Sequence, residues 1–461
     1  MAWWTFLLVP VTAPVTASVP REGRTVNESA RVAGPSCANT GRAPAGRVSA
    51  ARAALLATPG RRASTAAVLI TATTAFVTLV PVFRHFFDAG VYYGTVDQWI
   101  HHGGHIYDYV RPGSHYGFTY PPFAALAMAP MALVSWPVVV AVACALSVLA
   151  SCLLLYWLLG DAVRRVAGRP WLAWSVIGCL FTVLEPVSDT FSFGQVNLVL
   201  VALVFADARL LATGRGRYAG IGTGLAAAVK LTPALFIGYL LVTGRRRQAA
   251  LAAATAAAAT LVAAAVDPGA SRTYWTGALF DTGRVGRLAF ISNQSVQGVL
   301  ARLGPGFTGH AAWLLCVAAV LAVWLRRSRI AAAAGDDRAG FALTGLAACL
   351  VSPVTWVHHL VWAVPALAVL ADAGLRRGSR RALVVCGALH VLLSSYIIWL
   401  WGAAGTTGAV AFVGGNTYVW ITLGLLAALP LADPAPAAGT ARAPGARGLT
   451  EGSLSAGEAS R

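Results

Sequence analysis

One lysine and one pair of adjacent histidines stand out in a chain that carries little charge. Lys230 is the only lysine among 35 cationic residues, and 57% of the 461 residues are hydrophobic while 11% are charged. Lys230 and the pair His358 and His359 each lie beside a proline within an apolar stretch, where a polar side chain needs a partner or a task. A compact ammonium suits binding of a phosphate oxygen. The alternative for Lys230 is an ammonium that reaches out to the membrane interface.

Asp88 is the best-placed carboxylate for acid–base chemistry. It follows the first apolar run and begins a stretch, residues 88–100, in which Val91, Tyr92, Val96 and Trp99 recur at helical spacing. Such an amphipathic helix suits the membrane interface, where a carboxylate can meet a lipid headgroup. We therefore predict Asp88 as a general base, with a helix N-cap as the alternative.

Amide side chains form two further motifs, Phe193-Gly-Gln195-Val-Asn197 and Ser292-Asn293-Gln294-Ser295. Amides donate and accept hydrogen bonds, as recognition of sugar hydroxyls requires. They also cap helices and join membrane helices to each other, so both interpretations stay open. His101, His102 and His105 lack a carboxylate or thiol placed to complete a metal site, and no metal is expected.

The elements that position these residues are predicted to be membrane helices. Mean hydropathy is +0.67, and apolar runs near the roughly 20 residues needed for a span alternate with short arginine clusters, which is typical of the cytoplasmic ends of membrane helices. This pattern disfavours nucleic acid as a partner despite a net charge of +18. The predicted apolar segments are residues 64–83, 122–134, 138–160, 171–184, 198–212, 249–266, 310–325, 382–400 and 418–431.

Two further segments, residues 218–243 and 339–375, have arginines at both ends and a proline near the middle. Because proline breaks a helix, each is predicted to enter and leave the membrane on the cytoplasmic side. The two breaks should then face the same outer compartment as the loop of residues 84–120. Tight turns between short helices are the alternative.

The two ends of the chain differ in composition from its middle. Residues 1–60 and 433–461 are rich in Ala, Arg, Pro and Gly and lack a sustained hydrophobic period. We expect both to be disordered cytoplasmic tails, which leaves residues 61–432 as the membrane domain.

The motifs together resemble those of glycosyltransferase family 87. The matching positions are Asp88 with Val91 and Tyr92, Ile106-Tyr-Asp108, Phe118-Thr-Tyr120-Pro-Pro-Phe123, Phe193 to Asn197, Lys230-Leu-Thr-Pro233, Asn293-Gln294-Ser295, and Ser352 to His359. The resemblance implies an all-α polytopic membrane protein of the GT-C type. It would have about 11–13 transmembrane helices, including short broken ones, and interfacial helices in an extracytoplasmic first loop.

The resemblance also implies an activity. A sugar, usually mannose, would pass from a polyprenyl-phosphate donor to a glycolipid or lipoglycan acceptor at the extracytoplasmic face of the cell membrane, with no cofactor. Asp88 matches the carboxylate taken as catalytic base, and His358 and His359 match the motif that lines the same cavity. Tyr120, Gln195, Asn197, Asn293 and Gln294 belong to matching motifs and are expected to bind the donor.

The expected chemistry agrees with these residue types. A polyprenyl phosphate leaves without a general acid, so the site needs one base and nearby cations for the developing negative charge. We expect an inverting, metal-independent transfer, with Lys230 and His358 or His359 on the phosphate. Two alternatives are a related arabinosyl or glucosyl transferase and a lipid or sugar transporter. The large polar loop outside and the lack of an obvious inverted repeat disfavour the transporter.

Overall fold

A computed structural model describes residues 58–166, 168–304, 309–402 and 407–432. Helices and turns dominate these ranges, in which the extended pairing is a single bridge between Val110 and Gly117. Residues 1–57 and 433–461, which make up nearly all of the two predicted tails, lie outside the described residues.

The helices are numbered in chain order. They are α1 (Pro59–Leu79), α2 (Phe87–His101), α3 (Pro122–Met128), α4 (Trp136–Val166), α5 (Pro170–Val183), α6 (Glu185–Phe193), α7 (Asn197–Ala212), α8 (Ile221–Val229), α9 (Leu235–Val242), α10 (Arg246–Val266), α11 (Pro268–Thr273), α12 (Val296–Leu303), α13 (His310–Ala333), α14 (Asp337–Val351), α15 (Val364–Arg376), α16 (Arg380–Ser394), α17 (Ala409–Gly415) and α18 (Thr417–Ala428). Short 3₁₀ segments precede α9 and α15, at Thr232–Ala234 and Val357–Ala363.

Among the described residues, five helical segments are long and apolar enough to cross a membrane. They are α1, α4, α10, α13 and the continuous segment Val357–Arg376, and the bent pairs α5 with α6 (72°) and α17 with α18 (63°) raise the number to seven. The prediction of an all-α polytopic membrane protein is confirmed. The count of 11–13, which includes short broken helices, stays a prediction.

The second broken segment forms the centre of the helix bundle. In its most apolar window 89% of the residues of Val357–Arg376 are buried, against 6% for α1. Every residue of α14 from Ala339 to Leu350 is also buried. Apolar residues of α1 therefore face outwards, as expected for contact with lipid, whereas the motif with the two histidines lies inside the protein.

Both predicted helix breaks are present. α8 ends at Val229, Lys230 is extended (φ −148°, ψ 131°), and the chain turns through Pro233 into α9. α14 ends at Val351, and the chain then passes through residues 352–356 before the 3₁₀ segment that leads into α15.

The predicted helix boundaries need correction at several arginine-rich ends. α1 begins at Pro59 rather than residue 64, because the Thr58 hydroxyl caps it by accepting a hydrogen bond from the Arg61 N–H (3.3 Å). α4 continues to Val166 and α13 to Ala333, beyond the predicted ends at 160 and 325. Arginine and alanine favour helix, so a helix does not stop where its apolar part stops.

The predicted amphipathic helix is α2, which covers residues 88–100 as expected. Its buried face includes Val91, Tyr92 and Val96, which belong to an apolar cluster with Phe118 and Tyr274. The aromatic residues of the loop thereby anchor α2 to the rest of the protein and fix the direction of Asp88 in its first turn.

Candidate active site

Asp88 lies in the first turn of α2, where the helix dipole favours a carboxylate. Just before it, His85 and Phe86 have left-handed backbone (φ 50° and 51°). The Arg84 N–H donates to Oγ of Ser192 (2.6 Å), and the Phe86 N–H donates to the Ser192 carbonyl (2.9 Å). Left-handed non-glycine residues cost about 1–3 kcal/mol each. The last turn of α6 therefore holds the start of α2 in a strained but defined position.

The Asp88 carboxylate is bound by an amide from the turn between α6 and α7. Gln195 Nε2 donates to Asp88 Oδ2 at 2.6 Å, and no side-chain capping bond is made at the start of α2. The turn approaches closely because Gly194 has φ 68°, and a Cβ there would lie 2.6 Å from that of Ala89. The helix-cap alternative for Asp88 is therefore not what the structure has.

A directed chain of hydrogen bonds joins Lys230 to Asp88. Lys230 Nζ donates to the Tyr120 hydroxyl (3.3 Å), Tyr120 donates to Gln195 Oε1 (2.9 Å), and Gln195 donates to Asp88. The Tyr92 hydroxyl lies 2.9 Å from that of Tyr120. Because each bond points from the cation towards the carboxylate, the bonds polarise one another. The chain joins the loop before α3, the turn before α7 and the break after α8.

Lys230 also links the two helix breaks. Its Nζ lies 2.9 Å from Asn197 Oδ1 and 2.9 Å from His359 Nε2, and 5.0 Å from the centre of the Tyr120 ring. Asn197 in turn donates through Nδ2 to the His358 carbonyl (3.1 Å). The two helix breaks therefore meet in direct contact, while the outer compartment that both were expected to face stays a prediction.

Hydrogen-bond donors outnumber acceptors around His359. The Trp356 N–H points at His359 Nδ1 (3.2 Å), while Lys230 approaches Nε2. A neutral imidazole carries one N–H and one acceptor nitrogen. The neutral ring thus has one acceptor nitrogen for two approaching donors, the Trp356 N–H and the Lys230 ammonium. The ring nitrogen that carries the hydrogen must therefore face one of these donors with its own N–H. An oxyanion arriving between Lys230 and His359 would supply the missing acceptor.

The two histidines have different surroundings. The His358 ring packs on the Phe193 ring (centroids 5.0 Å apart), and its buried Nε2 has no hydrogen-bond partner among the described residues. Its carbonyl accepts from Thr190 Oγ1 (3.1 Å) as well as from Asn197. Of the two rings, that of His359 is hydrogen-bonded to Lys230, and the role of either histidine on the phosphate stays a prediction.

Asn293 and Gln294 hold the second helix break together and do not join the chain between Lys230 and Asp88. Asn293 donates to the carbonyls of Leu288 (2.9 Å) and Pro353 (3.2 Å), and its Oδ1 accepts from the Thr355 N–H (2.9 Å). Gln294 Nε2 donates to two further carbonyls, at 2.7 and 2.8 Å. Tyr120 and Gln195 lie in that chain, and Asn197 accepts a hydrogen bond from Lys230 beside it. The donor-binding role of all five residues stays a prediction.

Burial sets the proton affinity of Asp88. It raises the pKa of this carboxyl to about 6, although the Gln195 hydrogen bond and the charges of Lys230 and Arg111 lower it. Arg111 is fixed by stacking over the Phe87 ring, 4.6 Å from its centre. A base that titrates just below neutral pH is deprotonated in most molecules at pH 7 and still accepts a proton readily.

Sequence reasoning did not single out Glu185, which is fully buried. Its carboxylate accepts hydrogen bonds from Trp399 Nε1 (2.6 Å) and from the Tyr418 hydroxyl. It joins the bend between α5 and α6 to the last part of the chain and so supports the element that carries Ser192 and Gln195. A glutamate beside a proline within an apolar run was the available signal.

The histidine-rich part of the loop also has a defined arrangement. Asp97 accepts from or pairs with His101 Nδ1 (3.0 Å) and His102 Nε2 (3.5 Å) at the surface. Within the part of the chain that the structure describes, no group of three or more His, Cys, Asp or Glu side chains is arranged to hold a metal ion.

One family of known proteins matches the middle of the chain. The model of glycosyltransferase family 87 matches residues 118–353, which include Tyr120, Gln195, Asn197 and Lys230 but not Asp88. No solved structure matches the chain.

Three relatives from mycobacteria have similar sequences. A polyprenol-phosphate-mannose-dependent alpha-(1-2)-phosphatidylinositol mannoside mannosyltransferase of Mycolicibacterium smegmatis is 33% identical over 68% of this chain and 76% of its own length. The protein of the same description from Mycobacterium tuberculosis is 32% identical over 76% of this chain and 83% of its own. A phosphatidylinositol pentamannoside mannosyltransferase of M. smegmatis, dependent on the same donor, is 35% identical over 68% of this chain and 76% of its own.

Proposed function

Because the chain belongs to glycosyltransferase family 87, we propose that it is a membrane mannosyltransferase that uses polyprenyl-phosphate-mannose as donor. The acceptor is a glycolipid or lipoglycan, in keeping with the phosphatidylinositol mannosides named for its relatives. The observation that carries the proposal is the directed chain from Lys230 to Asp88. It places a cation and a half-buried carboxylate in one network, as transfer from a lipid phosphate requires.

The proposed location is the cytoplasmic membrane, with the site open to the extracytoplasmic side. α4 supports this orientation, since it begins where Trp136 contacts the Tyr93 ring of α2 (centroids 5.6 Å apart) and ends at Arg164 and Arg165. Arginines mark cytoplasmic helix ends, so α2 and Asp88 belong to the other side.

The base acts on the acceptor hydroxyl. Asp88 removes the hydroxyl proton as the acceptor oxygen bonds to the anomeric carbon of the donor sugar. The bond between that carbon and the phosphate oxygen breaks, its electron pair stays on the oxygen, and polyprenyl phosphate leaves. In-line attack on an oxocarbenium-like centre inverts the configuration at that carbon.

Lys230 and His359 bind the departing phosphate. The surplus N–H donors between them suit an oxygen that gains negative charge as the bond breaks. Asn197 orients Lys230, and Gln195 orients Asp88. The leaving phosphate needs no added proton, so the reaction requires no general acid. One carboxylate, acting as the base, is therefore enough for the transfer.

The test is transfer from a labelled donor. Membranes that contain the protein receive polyprenyl-phosphate mannose with a radiolabelled sugar, and lipids are then separated. We expect a labelled glycolipid that is absent with the Asp88→Asn variant. A parallel incubation with the corresponding arabinose donor distinguishes a related transferase, and label that crosses the membrane while still on the donor would indicate a transporter.

A further inference from the structure

A cavity lies at the arginine-rich end of the helix bundle, far from Asp88. α4 has 31 residues and at 1.5 Å per residue extends roughly 45 Å from its start beside α2. Beside its last turns, a cavity of about 320 Å³ opens between the ends of α4, α7, α14 and α15. Its size is that of a small ligand site.

One carboxylate beside this cavity forms ion pairs with three guanidinium groups. Asp372 is 2% exposed, and it pairs with Arg165, with Arg338 (3.5 Å) and with Arg376 (3.4 Å). Three positive charges around one negative charge leave an excess of two. The side chains of Arg165, Arg338 and Arg376 are 42%, 32% and 41% exposed, so this excess of positive charge is accessible to an anion from outside the protein.

The other carboxylates that line the cavity already have partners. Asp336 accepts from the N–H groups of Ala339 (3.1 Å) and Ala432 (3.0 Å), Asp337 pairs with Arg245, and Asp161 pairs with Arg164. This leaves few acceptors for the arginines of the lining.

Arg209, by contrast, lines the cavity with a free guanidinium. Its side chain makes no hydrogen bond or ion pair to another residue of the described ranges, while it lies in the same lining as Arg338 and Arg376. Guanidinium groups bind phosphate in a bidentate manner and lose little hydration on doing so.

Part of the lining is apolar, with Trp157, Leu158 and Phe205. We propose that this cavity binds a phosphate ester, with its anionic oxygens on Arg209, Arg338 and Arg376 and its carbon chain along the apolar residues. Basic pockets between membrane helices bind the headgroups of anionic phospholipids. Arginines together with apolar residues in one lining suit such a ligand. A soluble phosphate ester has the same anionic chemistry, and the experiment distinguishes the two sources.

The site is independent of the transfer reaction proposed above. None of its residues belongs to the chain between Lys230 and Asp88, so binding is measured without turnover. The Asp88→Asn variant should bind the phosphate ester as the wild type does, which separates a failure of this proposal from a failure of the proposed function.

The experiment measures binding to the purified full-length protein in detergent by native mass spectrometry and by the shift in melting temperature. The probes are phosphatidylglycerol, phosphatidylcholine, glycerol 3-phosphate and inorganic phosphate. Arg209→Gln is the test variant because Arg209 has no partner to lose, and Arg247→Gln is the control, an exposed arginine of α10 outside the cavity lining.

We expect Arg209→Gln to weaken binding of phosphatidylglycerol about tenfold or more, the loss of one charged hydrogen bond, and Arg247→Gln to leave it unchanged. Phosphatidylcholine should bind much more weakly than phosphatidylglycerol. If glycerol 3-phosphate or phosphate bound in an Arg209-dependent way and the lipids did not bind, the ligand would be a soluble phosphate ester. Equal effects of the two variants, or no effect of either, would overturn the site.

Discussion

Lys230 Nζ lies 2.9 Å from Nε2 of His359, although the two residues are 129 positions apart in the chain. Each residue belongs to a different broken helix, so this contact is the point where the two breaks meet. Because N–H donors outnumber acceptors around the His359 ring, an anion bound there would supply the missing acceptor. Without an anion, one N–H lacks an acceptor. The site thus holds donors in place before its substrate arrives, which is the basis of electrostatic preorganisation.

Replacing Asp88 by Asn tests the base. The amide keeps the size of the side chain and an oxygen that can accept from Gln195 but no longer takes up a proton. We expect transfer to fall by about 10²–10⁴-fold, the usual contribution of a general base, with unchanged expression and melting temperature. The initial rate of transfer from labelled polyprenyl-phosphate mannose measures this.

The matched control for Asp88 is Asp97→Asn on the same helix. Asp97 is at the surface and pairs with His101, so its loss should leave the rate within about twofold of the wild type, in line with the small contribution of surface ion pairs. An active Asp88→Asn variant would remove Asp88 from the role of base.

The pH dependence of transfer should report the titration of Asp88. Its pKa of about 6 means that the carboxyl is mostly protonated and inactive below that pH, so kcat/KM should rise with pH through a midpoint at about 6 and level off roughly one pH unit higher. Gln195 lowers this pKa through its hydrogen bond, and Gln195→Leu should therefore move the midpoint to higher pH. A midpoint that stays in place or moves to lower pH would contradict the assignment.

Replacing Lys230 by Met tests the phosphate contact. Methionine keeps the unbranched chain but lacks the charge, and loss of a charged hydrogen bond of about 1.5–3 kcal/mol corresponds to a donor affinity about 10–100-fold weaker. Equilibrium binding of the donor to the Asp88→Asn background measures this without turnover. An unchanged donor affinity would exclude Lys230 from the phosphate site.

The contact between Lys230 and His359 predicts that their effects are coupled. If both bind one phosphate oxygen, His359→Leu in a Lys230→Met background should cost less donor affinity than it does in the wild type. Residues in contact usually show coupling of about 0.5–3 kcal/mol. The double-mutant cycle on donor affinity measures it, with His310→Leu, at the start of α13, as an uncoupled control. Additive losses for Lys230 and His359 would mean that the two act separately.

Much of this site could be predicted from the sequence because its strongest signals are local. A proline and a polar residue within an apolar run mark each break, and an amphipathic period marks α2. The choice between His358 and His359 could not be predicted, since neighbouring residues of a 3₁₀ segment differ by about 120° in direction. Packing against Phe193 turns one ring away, and Lys230 meets the other.

The amides of the second motif show the same limit. Asn293 suits a sugar hydroxyl and a main-chain carbonyl equally well, and the choice depends on the long-range approach of Pro353 and Thr355. Composition and spacing contain no information on that approach. Glu185 was missed for a related reason, because its partners Trp399 and Tyr418 lie more than 200 residues away.

Replacing Asn293 by Ala therefore separates a structural role from direct sugar binding. Asn293 makes three hydrogen bonds to the main chain, two of them at the second break, and leaving such groups without partners costs about 1–3 kcal/mol each. We expect a lower melting temperature in detergent and a loss of transfer that follows the loss of folded protein. Ser352→Ala, which removes a single hydrogen bond to the Val354 carbonyl (3.0 Å) beside the same break, is the control for a mild local change. A stable Asn293→Ala protein with a selectively raised KM for donor would instead show that this amide contacts the sugar.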